Sequence, residues 1–156
     1  MTTAHAVAAP NPSAEVLDLV PLGVCIFDEE LRVTYWNRTL ENWTGLLSPE
    51  ILGVKLSQRY PHLSSPRFLS RLKQVVDTQS PVILSAALHK HFIPVATQSD
   101  GRNLMVQRTT LRPLDSRLGL VIAVVEDVTV THLQLEQLRR ETAALTLANE
   151  KAKKLA

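Results

Sequence analysis

The tetrapeptide Glu126-Asp127-Val128-Thr129 divides this chain into two physical regimes. Before it, Leu118 to Val125 is an apolar run of the kind that fills a buried strand. After it, the sequence is polar with leucines at helical spacing and reaches Ala156 without a proline or a glycine. A strand that passes through an acid and a hydroxyl, both good helix caps, into a long helix can carry a mechanical change out of a domain. The junction points to a sensor rather than an enzyme.

At 156 residues, the chain has room for one domain with extensions. Hydrophobic residues make up 45% but aromatics only 4%, so the core is built mainly from Leu, Val and Ile. A net charge of +2 supplies no strong basic field, which removes the electrostatic case for nucleic-acid binding. The single cysteine, Cys25, excludes an intramolecular disulfide and a Cys-rich zinc site and fits a reducing compartment. Met1 to Ser13 lacks the basic and apolar regions of a signal peptide. No apolar run approaches the roughly 20 residues that span a bilayer. The expectation is a soluble, cytoplasmic chain with a disordered tail over residues 1–12.

Ser13 is placed to cap a short helix, Ala14 to Val20, which Pro21 stops. Leu22 to Phe27 and Leu31 to Trp36 read as strands of a hairpin turning at Asp28-Glu29-Glu30. The alternation puts Trp36 on a polar face with Arg32 and Thr34. Asn37 caps a helix that Gly45 ends. Ser48-Pro49-Glu50 opens another, closed by Gly53, and Lys55 to Tyr60 adds a turn. Pro66 to Thr78 is an amphipathic helix with Phe68, Leu69, Leu72, Val75 and Val76 in its stripe. Val82 to His91 is extended, Phe92 to Asp100 is a loop or weak edge strand, and Asn103 to Leu114 and Leu118 to Glu126 are strands. The class is α+β: strands, short helices, strands, long helix.

In this order the residues carry a family resemblance. Pro21-Leu22-Gly23-Val24 opens the first strand, and Asp28 sits in the first turn. Val33-Thr34-Tyr35-Trp36-Asn37 takes the place of a "Y-x-N" step from strand to helix. Thr44-Gly45, Glu50-Ile51-Leu52-Gly53 with Leu56, and Asp127-Val128-Thr129 follow. From Val16 to Thr129 the chain resembles a PAS domain, departing from the pattern between His89 and Gly101. The resemblance implies a five-stranded antiparallel sheet with a short helical flank, an N-terminal helix and a long C-terminal helix. It divides the chain into the tail, a sensor domain over 13–129 and a signalling helix over 130–156. It also implies that Asp127 and Thr129 couple the sheet to that helix, and that any output domain, such as a histidine kinase or diguanylate cyclase, follows Ala156 or sits on a partner. The end in Lys-Ala-Lys-Lys suggests a piece of a longer protein, with a free-standing module as the alternative.

Several residues invite chemistry. Cys25, Trp36, Asn37 and Trp43 are candidates for a ligand pocket. Each also has a plain role: Cys25 as a small buried hydrophobe, Asn37 as a cap, Trp43 in packing with Leu40, and Trp36 at an interface. His62, His89 and His91 are weak metal candidates, His89 and His91 sharing one face of an extended segment, but no clear third ligand accompanies that pair. Haem or flavin fits the family, yet no specific motif here supports either. His132 lacks the pattern of a phosphoacceptor histidine. There is no phosphate-binding glycine loop and no nucleophile elbow, so no catalytic role is assigned within the chain.

The terminal helix scans as heptads with Val128, Leu135, Thr142 and Asn149 at a and Thr131, Leu138 and Leu145 at d. The expected assembly is a homodimer, with Val128, Leu135, Leu138, Leu145 and Asn149 in a parallel seam; the alternative is one helix lying on its own sheet. The function read from the sequence is a signal-sensing and dimerisation module of a two-component-type protein. A cofactor-free interaction module is the alternative, and a small α+β isomerase-like enzyme is the weaker third.

Overall fold

The computed structural model describes residues 12–85, 91–97 and 103–155. Along the chain run α1 (Pro12–Leu19), β1 (Gly23–Phe27), β2 (Val33–Trp36), α2 (Arg38–Thr44), α3 (Ser48–Ile51) and α4 (Leu56–Arg59). A 3₁₀ turn (Pro61–Ser64) leads to α5 (Pro66–Thr78), β3 (Val82–Leu84), β4 (Gln107–Asp115), β5 (Leu120–Asp127) and α6 (Thr129–Leu155). The strands form one five-stranded sheet in the order β2-β1-β5-β4-β3, antiparallel throughout. This is the α+β architecture expected from the sequence.

Alternation along the strands decides which face is core. Val121, Ala123 and Val125 of β5 are buried, while Leu120, Ile122 and Val124 on the other face are half-buried. Cys25 and Phe27 lie beside them on β1, opposite Ala123 and Val121. Leu40, Ile51, Leu56, Leu72 and Val75, from the helices between β2 and β3, close this face. Ser65 caps α5 by accepting from the Phe68 N–H at 3.4 Å, and Gln79 ends it at φ 53°. Of the predicted α5 stripe, Phe68, Leu72 and Val75 are buried, but Leu69 stays 42% exposed.

The hairpin departs from simple alternation. Leu31 adopts φ 67° in the turn, bonded through its N–H to the Asp28 carbonyl at 2.9 Å, so the strand starts at Val33 rather than Leu31. The register then slips between Ile26 and Phe27: Phe27 faces Val33, Ile26 faces Tyr35 and Cys25 faces Trp36. This extra residue flips the phase, as a β-bulge does. Val33 and Trp36 both enter the core, at 1% and 3% exposure, and the polar face expected for Trp36 is corrected.

Other boundaries shift for local reasons. α1 opens at Pro12, one residue before the predicted cap Ser13, as proline at a first helical position allows. α3 begins at Ser48 itself; the Glu50 carboxylate accepts from the Leu47 N–H at 2.8 Å and Ser48 Oγ donates to the Trp36 carbonyl at 2.8 Å. β4 starts at Gln107, preceded by a bridge between Ala96 and Leu104. The disordered tail predicted over 1–12 falls, apart from Pro12, outside the described residues, as do residues 86–90 of the extended run predicted from Val82 to His91, in which β3 covers Val82–Leu84.

Among the described glycines, Gly23 has the least room for a side chain. A Cβ there would come within 2.6 Å of Leu40 Cδ2 and 2.9 Å of Trp43 Cζ3. Leu40 is fully buried and cannot give way freely. Gly23→Ala is expected to lower stability by roughly 1–3 kcal/mol through overpacking, read as a lower urea midpoint at unchanged slope.

Candidate functional site

The junction that opened the sequence analysis is a closed hydrogen-bond circuit. Thr129 Oγ1 donates to Asp127 Oδ1 at 2.6 Å and accepts from the Val106 N–H at 2.9 Å. The Thr129 N–H also donates to Asp127 Oδ1, at 3.0 Å. The Val106 carbonyl accepts from the Val128 N–H at 2.9 Å, and the Val128 carbonyl receives the His132 N–H at 2.8 Å as the first α6 turn forms. One hydroxyl thus joins the residue before β4, the last residue of β5 and the first residue of α6. A carboxylate at the start of a helix also meets the positive end of the helix dipole.

Beyond that circuit α6 stands away from the domain. None of Thr129–Leu155 is buried, and Leu135, Leu138 and Leu145 are 48%, 62% and 65% exposed. The alternative of a helix lying on its own sheet is not what the structure shows. Val128 is half-buried at the root, and Asn149 is exposed on the same stripe. Thr142, at a seam position, donates its hydroxyl to the Leu138 carbonyl at 2.9 Å, so it has no unmet donor to present. Glu136 Oε1 lies 3.2 Å from His132 Nε2, one turn back.

Cys25, Trp36, Asn37 and Trp43 do gather, around the start of β1. Cys25 and Trp36 are register partners, Asn37 follows Trp36, and Trp43 packs beside Gly23. Asn37 is completely buried and its side chain is fully used. Oδ1 accepts from Val24 N–H at 3.0 Å and Leu40 N–H at 3.1 Å. Nδ2 donates to the carbonyls of Leu17 at 3.0 Å and Leu22 at 2.8 Å. The cap expected of Asn37 is present, and the same residue ties α1 to β1. Trp36 Nε1 is likewise committed, donating to the Leu46 carbonyl at 3.1 Å. Cys25 is fully buried, and burial alone pushes its thiol well above the ordinary range.

The histidines are engaged with the backbone. His62 Nε2 lies 3.1 Å from the carbonyls of both His91 and Phe92, and His91 Nδ1 lies 2.9 Å from the Met105 carbonyl. Carbonyls only accept, so each of these ring nitrogens carries its proton. His89 lies outside the described residues. Among the described residues no group of three His, Cys, Asp or Glu side chains could hold a metal ion.

Sequence reasoning passed over Gln107, a polar residue 1% exposed whose carboxamide bonds both the N–H and the carbonyl of Ile93. The signal was present in the strand alternation, which puts Gln107 on the face of Thr109 and Leu111. It also missed Phe92, Ile93 and Val95 as core, at 4%, 0% and 6% exposure, because Pro94 made that stretch read as a loop.

This sheet, helical flank and exit circuit define a sensor-type α+β domain. The family model described as the PAS fold matches residues 17–133, and the chain belongs to that family of regulatory sensor modules. Solved structures agree in fold. The PAS domain of nitrogen regulation protein NR(II) from Vibrio parahaemolyticus is 15% identical, with a TM-score of 0.54, over 75% of this chain and 98% of that one. A sensory box sensor histidine kinase from Vibrio cholerae is 19% identical at TM-score 0.56, over 76% and 90%. An RNA-binding Light-Oxygen-Voltage receptor is 17% identical at TM-score 0.60, over 96% of this chain but 41% of that chain. No curated protein matches the sequence. No helix among the described residues is long and apolar enough to cross a membrane.

Burial of Cys25 gives a direct test. Its folded-state pKa is raised, so its contribution to stability is complete below the unfolded thiol value of about 8.5 and is lost as pH rises past it. Between about pH 8.5 and 10, stability is expected to fall faster in the wild type than in Cys25→Val. Iodoacetamide labelling of Cys25 at pH 8 should proceed only at the rate of global unfolding; prompt labelling of the folded protein would contradict the buried assignment.

Proposed function

We propose that residues 13–129 form a cytoplasmic sensing domain and residues 130–156 a signalling helix that pairs in a parallel homodimer and hands changes in the sheet to an output domain or partner signalling protein. The observation that carries this reading is the form of α6: a 27-residue helix rooted in the sheet by the Asp127–Thr129–Val106 circuit, with no buried residue along its length. A helix with exposed leucines at heptad spacing needs a partner to bury them. Covering Leu135, Leu138 and Leu145 is worth about 2 kcal/mol for each side chain. Asn149 at an a position favours the parallel, in-register pairing, where it meets its own copy. Asp127 and Thr129 are the coupling residues, since distortion at the β4–β5 end must pass through their hydrogen bonds to reach α6. Catalysis then belongs to the output domain, an assignment supported by a site made of caps and packed apolar groups. The likeness in fold to domains of nitrogen-regulation and sensor histidine kinase proteins favours a phosphotransfer output.

A second reading, a dimerisation module without cofactor, is favoured by the committed polar atoms of Asn37 and Trp36 and by Phe92, packed 5.8 Å from Phe68 and 6.3 Å from Phe27 between ring centroids. Native mass spectrometry and an absorption spectrum of protein purified from cells separate the two. Co-purifying chromophore or metabolite supports ligand sensing; a bare dimer supports the module. For the seam itself, Leu138→Glu with Leu145→Glu should sediment as a monomer with an unchanged circular dichroism melt of the sheet domain. A dimer that persists in this double variant removes the α6 seam.

A further inference from the structure

The segment His91–Val95 is a strap across the core, and its fastenings meet the exit circuit on adjacent residues. Phe92 and Ile93 are buried, Phe92 packing against Phe27 of the sheet and Phe68 of α5. From one side the strap is held by His62, whose Nε2–H is shared by the carbonyls of His91 and Phe92. From the other, the Met105 N–H donates to the Val95 carbonyl at 2.7 Å and His91 Nδ1–H donates to the Met105 carbonyl at 2.9 Å. At the centre the Gln107 carboxamide takes both backbone groups of Ile93, Oε1 accepting its N–H at 3.1 Å and Nε2 donating to its carbonyl. Gln107 stands directly opposite Asp127 in the β4–β5 register. Its neighbour Val106 is the residue whose N–H and carbonyl bind Thr129 and Val128. Strap and latch therefore share the first turn of chain into β4.

We infer that Gln107 couples the position of the His91–Val95 strap to the direction of α6. With the strap seated, both halves of the carboxamide are paired and the start of β4 is fixed, so Val106 is held where Thr129 can bind it. With the strap lifted, a buried carboxamide is left with unmet donors and acceptors in apolar surroundings. That penalty is relieved by moving the start of β4, which carries Val106 away from Thr129. The strap and the latch are thus alternately satisfied or released together, a two-position element rather than two separate contacts. The inference rests on α6 being the output element.

Amide hydrogen exchange on the full chain tests it. Gln107→Met keeps side-chain length and removes both bonds to Ile93. It should speed exchange at Ile93, Val106 and Thr129 together by roughly tenfold, a typical size for coupling between sites, and leave Ile26 and Val124 in the β1–β5 ladder unchanged. Coupling is reciprocal, so Thr129→Val, which alters only the latch, should speed exchange at Ile93 by a comparable factor. Faster exchange at Ile93 alone in Gln107→Met, or an unmoved Ile93 in Thr129→Val, overturns the inference. Should Gln107→Met loosen the ladder as well, the Thr129→Val arm decides. Sedimentation of the same variants reads α6 association separately: a monomeric wild type with the coupled exchange intact discards the output reading and leaves the strap–latch coupling standing.

Discussion

The hydroxyl of Thr129 joins three parts of the chain: the approach to β4, the end of β5 and the start of α6. It donates to the Asp127 carboxylate and accepts from the Val106 N–H, so its proton direction is fixed by partners that can only accept or only donate. Each bond polarises the next, and the carboxylate at the far end faces the electropositive start of α6. A methyl in place of that oxygen leaves Val106 without its acceptor; an alcohol one carbon smaller keeps every bond. The requirement is for a hydroxyl, which is narrower than the general preference for a helix cap.

A second polar cluster stands at the same edge of the sheet. Gly23 faces Val125 and Val24 faces Val124, so the first residues of β1 lie beside the last residues of β5. Asn37 binds there, joining Leu17 of α1, Leu22 just before β1, Val24 of β1, and Leu40 of α2. Asp18 adds a bond from the Arg38 N–H at 2.9 Å and Thr39 Oγ1 donates to the Val20 carbonyl at 3.0 Å. The incoming and outgoing helices are therefore anchored at one edge by separate hydrogen-bond clusters, on two central strands that are directly paired. At its other end this strand pair meets the turns over 28–31 and 115–119.

Much of this was legible in the sequence because the elements are short and punctuated. Asn37, Gly45, Gly53 and Pro66 each mark a boundary by local chemistry, and the structure follows them. Asp127 and Thr129 stood out because the period changes across them. What was hidden depended on contacts distant in sequence. The bulge opposite Ile26 and Phe27 turned Trp36 inward, and nothing local to Trp36 announces it. Ile93 is core because Gln107, fourteen residues on, satisfies its backbone; a proline neighbour made it look like loop. The candidate pocket of Cys25, Trp36, Asn37 and Trp43 was found as a neighbourhood, but the use of every polar atom of Asn37 by the protein itself is visible only in three dimensions.

The central claim is that the Thr129 hydroxyl sets the direction in which α6 leaves the sheet. Spin labels at Arg112→Cys on the sheet and Glu141→Cys on α6, both exposed positions, measure it by pulsed dipolar spectroscopy in chains diluted with unlabelled protein; the buried Cys25 takes no label. A single narrow distance distribution is expected for the wild type and for Thr129→Ser, and a broadened or displaced one for Thr129→Val. An unchanged distribution in Thr129→Val, with the domain still folded, would contradict the account.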